Sequence, residues 1–178
     1  MSANGRSGSS LAELSRRAGE ALRDQGLLLV TAESCTGGGV SWAVTMVPGS
    51  SHWFDRGFVT YTNDAKQRVL GVAPSLLREF GAVSEPVARS MALGAMGHSQ
   101  AQVALAVTGI AGPDGGTPDK PVGMVCFAWA IRRVPDPAPA VRTATYRFAG
   151  DRHEVREAAV AAALEGVISL LERPGGSG

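Results

Sequence analysis

Apolar residues along the chain fall into two kinds of segment. Some are short, continuous apolar runs, which are typical of strands covered on both faces of a sheet. The run at residues 27–31 predicts a strand of this kind, and further strands are predicted at residues 57–62, 102–107, 122–131 and 141–148. A Pro-rich stretch over residues 132–140 separates the last two and is short enough to join antiparallel neighbours.

The other segments repeat apolar positions at helical spacing and are bounded by capping residues. Ser9 or Ser10 caps the first helix, which Gly26 ends. Further helices are predicted over residues 40–47, 63–70, 74–80, 84–98 and 151–171, with Asn63 as the N-cap of the 63–70 helix and a short turn or helix after residue 48. Strands separated by helices, with one late hairpin, predict an α/β fold: a three-layer α/β/α sandwich with a mixed, about five-stranded sheet.

Composition narrows the class of protein. The 178 residues predict one domain over residues 9–173, with disordered tails at residues 1–8 and 174–178. A net charge of +1, without a run of like charges, disfavours direct nucleic-acid binding. Without a long apolar stretch or an apolar leader, we expect neither a membrane span nor a signal peptide. Two cysteines make no disulfide framework, so we expect a reduced, cytoplasmic protein.

Two glycine-rich loops follow predicted strands, at residues 33–39 and 108–116. Loops at the carboxyl ends of strands build ligand sites in α/β sheets, and glycine lets backbone amides face a ligand. We therefore expect one shared pocket for a small anionic ligand, with Thr36, Gly37, Thr108 and Gly109 as binding residues. The alternative is that both loops are ordinary turns.

Metal and cysteine chemistry are both disfavoured by the residue pattern. The histidines at positions 52, 98 and 153 match no ligand spacing and are interpreted as surface residues, so we expect no metal and no cofactor. Cys35 precedes a predicted helix, where a thiolate is favoured. Since no histidine is placed beside it, a structural cysteine is the preferred interpretation, and Cys126 is expected in the core.

Ser51, Tyr61 and Lys66 form a candidate catalytic set. Lys66 is predicted in the first turn of a helix, where the dipole and partial burial oppose protonation of its amine. A neutral lysine is able to activate a serine hydroxyl, and Tyr61 would relay a proton or steady the amine. The alternative is a solvated surface lysine. Ser51 and His52 are neighbours that point apart in a helix and are not expected to pair.

Arg152 and Arg156 lie on adjacent turns at the start of the last predicted helix. Cations are disfavoured at a helix amino terminus, so a compensating anion is expected. That anion is either a bound phosphate or carboxylate, or a surface ion pair with Asp151 or Glu154.

Several ordered motifs resemble those of the CinA C-terminal domain family. They occur at residues 31–38, 48–51, 54–66, 81–87, 108–116, 120–123 and 150–152, and the resemblance extends over about residues 9–172. It implies the α/β/α sandwich, a usually dimeric protein and the stand-alone form of the family. The family is associated with competence and damage-inducible proteins and with nicotinamide mononucleotide deamidase of pyridine nucleotide salvage.

That resemblance implies a serine–lysine amidohydrolase acting on a small nucleotide. Ser51 would be the nucleophile and Lys66 its base, with Tyr61 and Ser34 in support. Thr108, the loop that follows it and Arg152 would hold the nucleotide. Two alternatives stay open: a non-catalytic nucleotide-binding or interaction module linked to competence or DNA damage, and an amidase for a different carboxamide.

Overall fold

The structure is a computed structural model that describes residues 9–172, and the two predicted tails lie outside these residues. Five strands form the sheet: β1 (Leu29–Glu33), β2 (Phe54–Val59), β3 (Val103–Gly109), β4 (Met124–Ile131) and β5 (Ala140–Arg147). The helices are α1 (Leu11–Asp24), α2 (Gly39–Thr45), α3 (Asn63–Leu70), α4 (Pro74–Phe80), α5 (Glu85–Gly97) and α6 (Arg152–Glu172). A short 3₁₀ helix, Ser50–His52, precedes β2.

The sheet is mixed, in the order β2-β1-β3-β4-β5. Strand β1 runs parallel to both β2 and β3, whereas β3/β4 and β4/β5 are antiparallel pairs. The predicted hairpin across residues 132–140 is therefore confirmed. Because β1, β2 and β3 are parallel, their carboxyl ends lie at one edge of the sheet, and the loops that follow them meet there.

Helices cover both faces of the sheet, which confirms the three-layer sandwich. On one face, α1, α2 and α6 pack against large side chains such as Leu105, Phe127 and Trp129. On the other face, α3, α4 and α5 pack against small ones such as Ala104, Ala106 and Ala128. Successive strand residues point to opposite faces of the sheet, so the large side chains face α1, α2 and α6 and the small side chains face α3, α4 and α5.

Cap residues place most helix starts where the sequence predicts them. The Ser10 and Ser84 hydroxyls accept from the amides of Glu13 and Val87. The N-cap of α3 is Thr62 rather than Asn63, since the Thr62 hydroxyl accepts from the Ala65 amide. The prediction for Asn63 is wrong by one residue because both types cap helices well.

The ends of the first two strands differ from the prediction. Strand β1 extends to Glu33, beyond the predicted residue 31, and β2 ends at Val59, short of the predicted residue 62. Every residue of β1 is buried, so its apolar pattern carries no period that would mark its end. Within residues 9–172, no helix is long and apolar enough to cross a bilayer.

Candidate active site

The amine of Lys66 lies at the carboxyl edge of the sheet, beside Ser34. Its Nζ atom is 2.9 Å from Ser34 Oγ, 2.8 Å from the Thr60 carbonyl oxygen and 3.3 Å from the Tyr61 carbonyl oxygen. Ser34 directly follows β1, Thr60 and Tyr61 follow β2, and Lys66 lies near the start of α3. The parallel pairing of β1 and β2 brings these groups together.

Burial sets the protonation of this amine. Lys66 is only 1% exposed, and loss of water lowers its pKa to about 8, while the neighbouring Cys35 acts weakly in the opposite direction. Among residues 9–172, no carboxylate forms an ion pair with it. The alternative of a solvated surface lysine is therefore wrong.

The surroundings of Lys66 suit a neutral amine. Such an amine has two N–H donors and one lone pair. As a cation, Lys66 donates to Ser34 Oγ and to the carbonyl oxygens of Thr60 and Tyr61. Once neutral, the amine can keep its two N–H groups on the carbonyl oxygens, which leaves the lone pair for the Ser34 hydroxyl. The arrangement can therefore take a proton from Ser34.

Ser51 lies away from this amine. It is exposed in the 3₁₀ helix before β2, whereas Lys66 follows the carboxyl end of the same strand. Six residues of extended chain span about 20 Å. The predicted pairing of Ser51 with Lys66 is not formed, and Ser34, predicted as a supporting residue, is the serine that Lys66 contacts.

A hollow of about 190 Å³ opens beside Ser34 and Lys66. Its walls come from five segments of the chain and include Cys35, Tyr61, Ala82, Val83, Thr108, Gly109, Ala111 and Arg152. Thr108 and Gly109 therefore lie where the prediction places them. The Thr108 hydroxyl, however, donates to the Ala82 carbonyl oxygen at 2.9 Å, so it holds the 82–83 loop in position.

Arg152 forms one side of the hollow together with Tyr61. Its Nη2 donates to the Tyr61 hydroxyl at 2.9 Å, and its Nη1 donates to the Gly112 carbonyl oxygen at 2.7 Å. Arg152 also lines a second cavity of about 500 Å³, shared with Asp151, His153 and Arg156. Tyr61 thus contacts Lys66 through its carbonyl oxygen and Arg152 through its hydroxyl.

Ion pairs do not explain the two arginines of α6. Asp151 caps the helix by accepting from the amides of His153 and Glu154, and Glu154 accepts from the Asp151 amide. Arg156 donates to the Thr36 carbonyl oxygen at 3.2 Å. Among the residues the structure describes, both guanidinium groups contact only uncharged oxygen atoms.

The first glycine-rich loop is organised by Glu33, a buried residue that sequence reasoning missed. Its carboxylate accepts from the Thr36 hydroxyl and from the amides of Gly38, Val40 and Ser41. The Gly37 and Gly39 amides donate to Ser34 and Thr36. Every amide from residue 37 to 41 is thus occupied by the protein itself. An acidic residue just before a helix start was the available signal.

Thr36 and Gly37 are consequently not brought into the hollow around Lys66. They line a separate cavity of about 740 Å³, with Trp42, Met46 and Arg156. The Thr36 hydroxyl is buried and donates to Glu33 at 2.7 Å. Both loops thus line the hollow, the first through Ser34 and Cys35 rather than through the expected Thr36 and Gly37.

The cysteines and histidines agree with their predicted structural roles. Cys35 and Cys126 are buried, and burial raises the pKa of the Cys35 thiol to about 12, which opposes a thiolate. His52, His98 and His153 are exposed. Residues 9–172 contain no group of three His, Cys, Asp or Glu side chains placed to hold a metal ion.

A family model and the sequences of known proteins were compared with this chain, and their matches agree with one another. The family model of the CinA C-terminal domain matches residues 11–171. A putative competence-damage inducible protein of Symbiobacterium thermophilum is 56% identical over 160 residues, which are 88% of this chain and 38% of that protein. The nicotinamide-nucleotide amidohydrolase PncC of Escherichia coli K12 is 48% identical over 157 residues, which are 88% of this chain and 92% of that protein.

A solved structure supports the same relationship. The competence/damage inducible protein CihA of Agrobacterium tumefaciens superposes with a TM-score of 0.87 at 45% sequence identity. The superposition covers 97% of this chain and 100% of that one.

Proposed function

We propose that this chain, which belongs to the CinA C-terminal domain family, is an amidohydrolase that converts nicotinamide mononucleotide to nicotinate mononucleotide and ammonia. The observation that carries the proposal is the 2.9 Å contact between Lys66 Nζ and Ser34 Oγ in a buried hollow. The 48% identity to a nicotinamide-nucleotide amidohydrolase supports the substrate. The activity would serve pyridine nucleotide salvage.

Acylation uses Ser34 and Lys66 as nucleophile and base. The neutral Lys66 amine takes the hydroxyl proton while Ser34 Oγ bonds to the carboxamide carbon, and the carbonyl π pair moves onto oxygen. When the tetrahedral intermediate collapses, the C–N bond breaks and Lys66 gives the proton to the leaving nitrogen. Ammonia departs, the acid is held as an ester on Ser34, and Lys66 is neutral again.

Deacylation repeats these steps with water. Lys66 takes a proton from the attacking water, whose oxygen bonds to the ester carbon, and the bond to Ser34 Oγ then breaks. The proton passes from Lys66 to Ser34, which restores the hydroxyl. The sum is one amide and one water converted to one acid and one ammonia.

The two neighbouring cavities divide the substrate between them. The hollow of about 190 Å³ has room for a pyridine carboxamide but not for a whole nucleotide. The adjoining cavity of about 500 Å³ carries Arg152 and Arg156 and suits the ribose phosphate. A phosphate accepts stronger hydrogen bonds than the uncharged oxygen atoms that Arg152 now contacts.

The test compares Ser34, which follows the carboxyl end of β1, with Ser51, which precedes β2 at the opposite edge of the sheet. Ser34→Ala removes the nucleophile, and we expect ammonia release from the mononucleotide to fall by about 10³-fold or more. Ser51→Ala is the matched control and should keep wild-type turnover. The reverse result, with Ser51→Ala inactive and Ser34→Ala active, would overturn the assignment of the nucleophile.

The other functions open to the sequence are separated by the same assay. A panel of nicotinamide, its riboside and the dinucleotide tests whether a different carboxamide is preferred. If the wild-type protein releases ammonia neither from the mononucleotide nor from any compound of this panel, the non-catalytic nucleotide-binding module is favoured.

A further inference from the structure

The backbone amides around Ser34 are not equally occupied. The Ser34 amide donates to the Val107 carbonyl oxygen at 3.0 Å, and the Gly37 amide donates to the Ser34 carbonyl oxygen at 3.0 Å. Between them, the amides of Cys35 and Thr36 donate to no backbone carbonyl oxygen among residues 9–172, and the partner of the Cys35 amide is its own thiol, a weak acceptor. Cys35 lines the hollow together with Ser34 and Lys66, whereas Thr36 lines the separate 740 Å³ cavity. One amide that no oxygen atom of the backbone engages therefore lies beside the proposed nucleophile.

Hydrogen bonds to the Glu33 carboxylate hold the turn that carries this amide. The Glu33 side chain is fully buried. One carboxylate oxygen accepts from the Thr36 hydroxyl at 2.7 Å, the Gly38 amide at 3.1 Å and the Val40 amide at 2.9 Å. The other oxygen accepts from the Ser41 amide and hydroxyl, each at 2.8 Å.

The backbone of this turn fits that arrangement. Gly37 and Gly38 have φ angles of +58° and +95°, which L side chains rarely adopt, so the chain turns sharply after Thr36. Residues 36–41 are fixed by the hydrogen bonds that four of them donate to the Glu33 carboxylate. The conformation of residues 34–36 is thereby fixed at both ends, by β1 and by Glu33.

We propose that the Cys35 backbone N–H donates to the oxyanion of the tetrahedral intermediate and that Glu33 is the positioning residue for this donor. The inference rests on the proposed function. As Ser34 Oγ bonds to the carboxamide carbon, negative charge develops on the carboxamide oxygen, and a fixed donor stabilises it without reorganisation. An amide one residue after a nucleophile at the end of a strand has suitable geometry for this role.

A direct test follows the amide itself. The chain has two cysteines, so protein labelled with ¹⁵N-cysteine shows two amide signals, from Cys35 and Cys126. Pyridine-3-boronic acid should form a tetrahedral boronate on Ser34 that mimics the intermediate. We expect the Cys35 amide proton to move downfield and the Cys126 amide, inside β4, to stay unchanged.

A kinetic test addresses Glu33. Glu33→Gln keeps the shape but places an NH₂ group against a ring of donors, so the turn should relax. Removing an oxyanion donor costs about 10²- to 10³-fold in kcat, and displacing one should cost about 10- to 100-fold with little change in KM. Gln102→Ala is the matched control, because the Gln102 side-chain oxygen accepts from the Leu28 amide at the opposite end of the sheet.

Four results are decisive. A Cys35 amide that does not shift while Ser34 carries the boronate would overturn the oxyanion donor, and this measurement does not depend on whether Glu33→Gln folds. A wild-type kcat in folded Glu33→Gln would overturn the positioning role. Full ammonia release by Ser34→Ala would instead overturn the assignment of the nucleophile, and no release from the mononucleotide by the wild-type protein would overturn the proposed function, so these failures are distinguishable from that of the oxyanion donor.

Discussion

At the scale of single residues, the chemistry of this site depends on how Lys66 is buried. The same side chain on an open helix surface would stay protonated up to about pH 10.4. Here two backbone carbonyl oxygens take its N–H groups and a serine hydroxyl faces the remaining position. Burial thus lowers the pKa of Lys66 far enough for its amine to act as a base near neutral pH.

The pH dependence of activity should report this base. The Lys66 pKa is lowered to about 8, so the amine is protonated and inactive below that pH and neutral above it. We expect kcat/KM to rise with pH through an apparent pKa near 8 and then level off. Lys66→Arg should be inactive throughout, because a guanidinium stays protonated.

The pKa of Lys66 can also be measured directly, because the chain contains only two lysines, Lys66 and Lys120. Carbon-13 NMR of labelled lysine side chains gives the titration, and a Lys120→Arg variant assigns the signals. A rate profile and a Lys66 titration both centred near 10.5 would contradict the general-base role.

At the scale of elements, close packing between α6 and β4 fixes the layer that carries Arg152. The Trp129 indole donates to the Ala163 carbonyl oxygen at 2.9 Å. Gly166 lies directly on the same ring, and a Cβ atom at this position would fall 2.0 Å from Trp129 Cε2. The absence of a side chain at Gly166 lets the helix approach the sheet.

Substituting two helical glycines should therefore give opposite effects on stability. Gly166→Ala forces the Trp129 ring or α6 to move, and we expect the free energy of unfolding to fall by about 1–3 kcal/mol. Gly97→Ala in α5 meets no heavy atom within 4 Å and should change stability little or raise it by up to about 1 kcal/mol. Urea unfolding of both variants makes the measurement. If the two variants have equal stability, the close contact between Gly166 and Trp129 does not contribute to the stability of the fold.

At the scale of the whole molecule, loops from distant parts of the chain share one edge of the sheet. The first residues after β1 and β2, the 82–83 loop, the end of β3 and the start of α6 all line the hollow. Arg152 lines both this hollow and the cavity of about 500 Å³ that is proposed to hold the phosphate. The homodimer implied by the family resemblance and the cytoplasmic location expected from the two cysteines stay predictions.

Recognition across the two cavities should depend on the substrate's phosphate. Loss of a charge-assisted contact costs about 1.5–3 kcal/mol, so Arg152→Ala should raise KM for the mononucleotide by about 10- to 150-fold. The KM for nicotinamide, which has no phosphate, should change little. Arg23→Ala, an exposed arginine of α1, is the charge-matched control. An unchanged KM for the mononucleotide in Arg152→Ala would remove this residue from the binding site.

Chelation should leave the activity intact. Ser34 and Lys66 together supply a nucleophile and a proton acceptor, so the proposed steps need no metal-bound water. We expect wild-type turnover after exhaustive EDTA treatment, measured as ammonia release. Activity lost to EDTA and restored by zinc or magnesium would contradict the serine–lysine mechanism.

The sequence by itself determined the helices, the strands and the three-layer class, because these follow from local information. Apolar periodicity separates helix from strand, and residues such as Ser10, Ser84 and Gly71 mark helix ends within one turn of chain. The same local reasoning placed Lys66 in the first part of a helix and predicted its lowered pKa. It failed at the end of β1, since a strand buried on both faces carries no periodic signal, and at the end of β2, whose exposed and half-buried residues do not alternate strictly.

Only the tertiary structure decided which serine meets Lys66. Ser51 is closer to Lys66 in sequence, but a strand runs between them and carries them to opposite edges of the sheet. Ser34 is 32 residues from Lys66, yet the parallel pairing of β1 with β2 brings their carboxyl ends together. Likewise, the buried Glu33 occupies the amides of Gly38, Val40 and Ser41, so these amides are not available to a ligand. Strand pairing is a contact between distant segments, and no local pattern of residues records it.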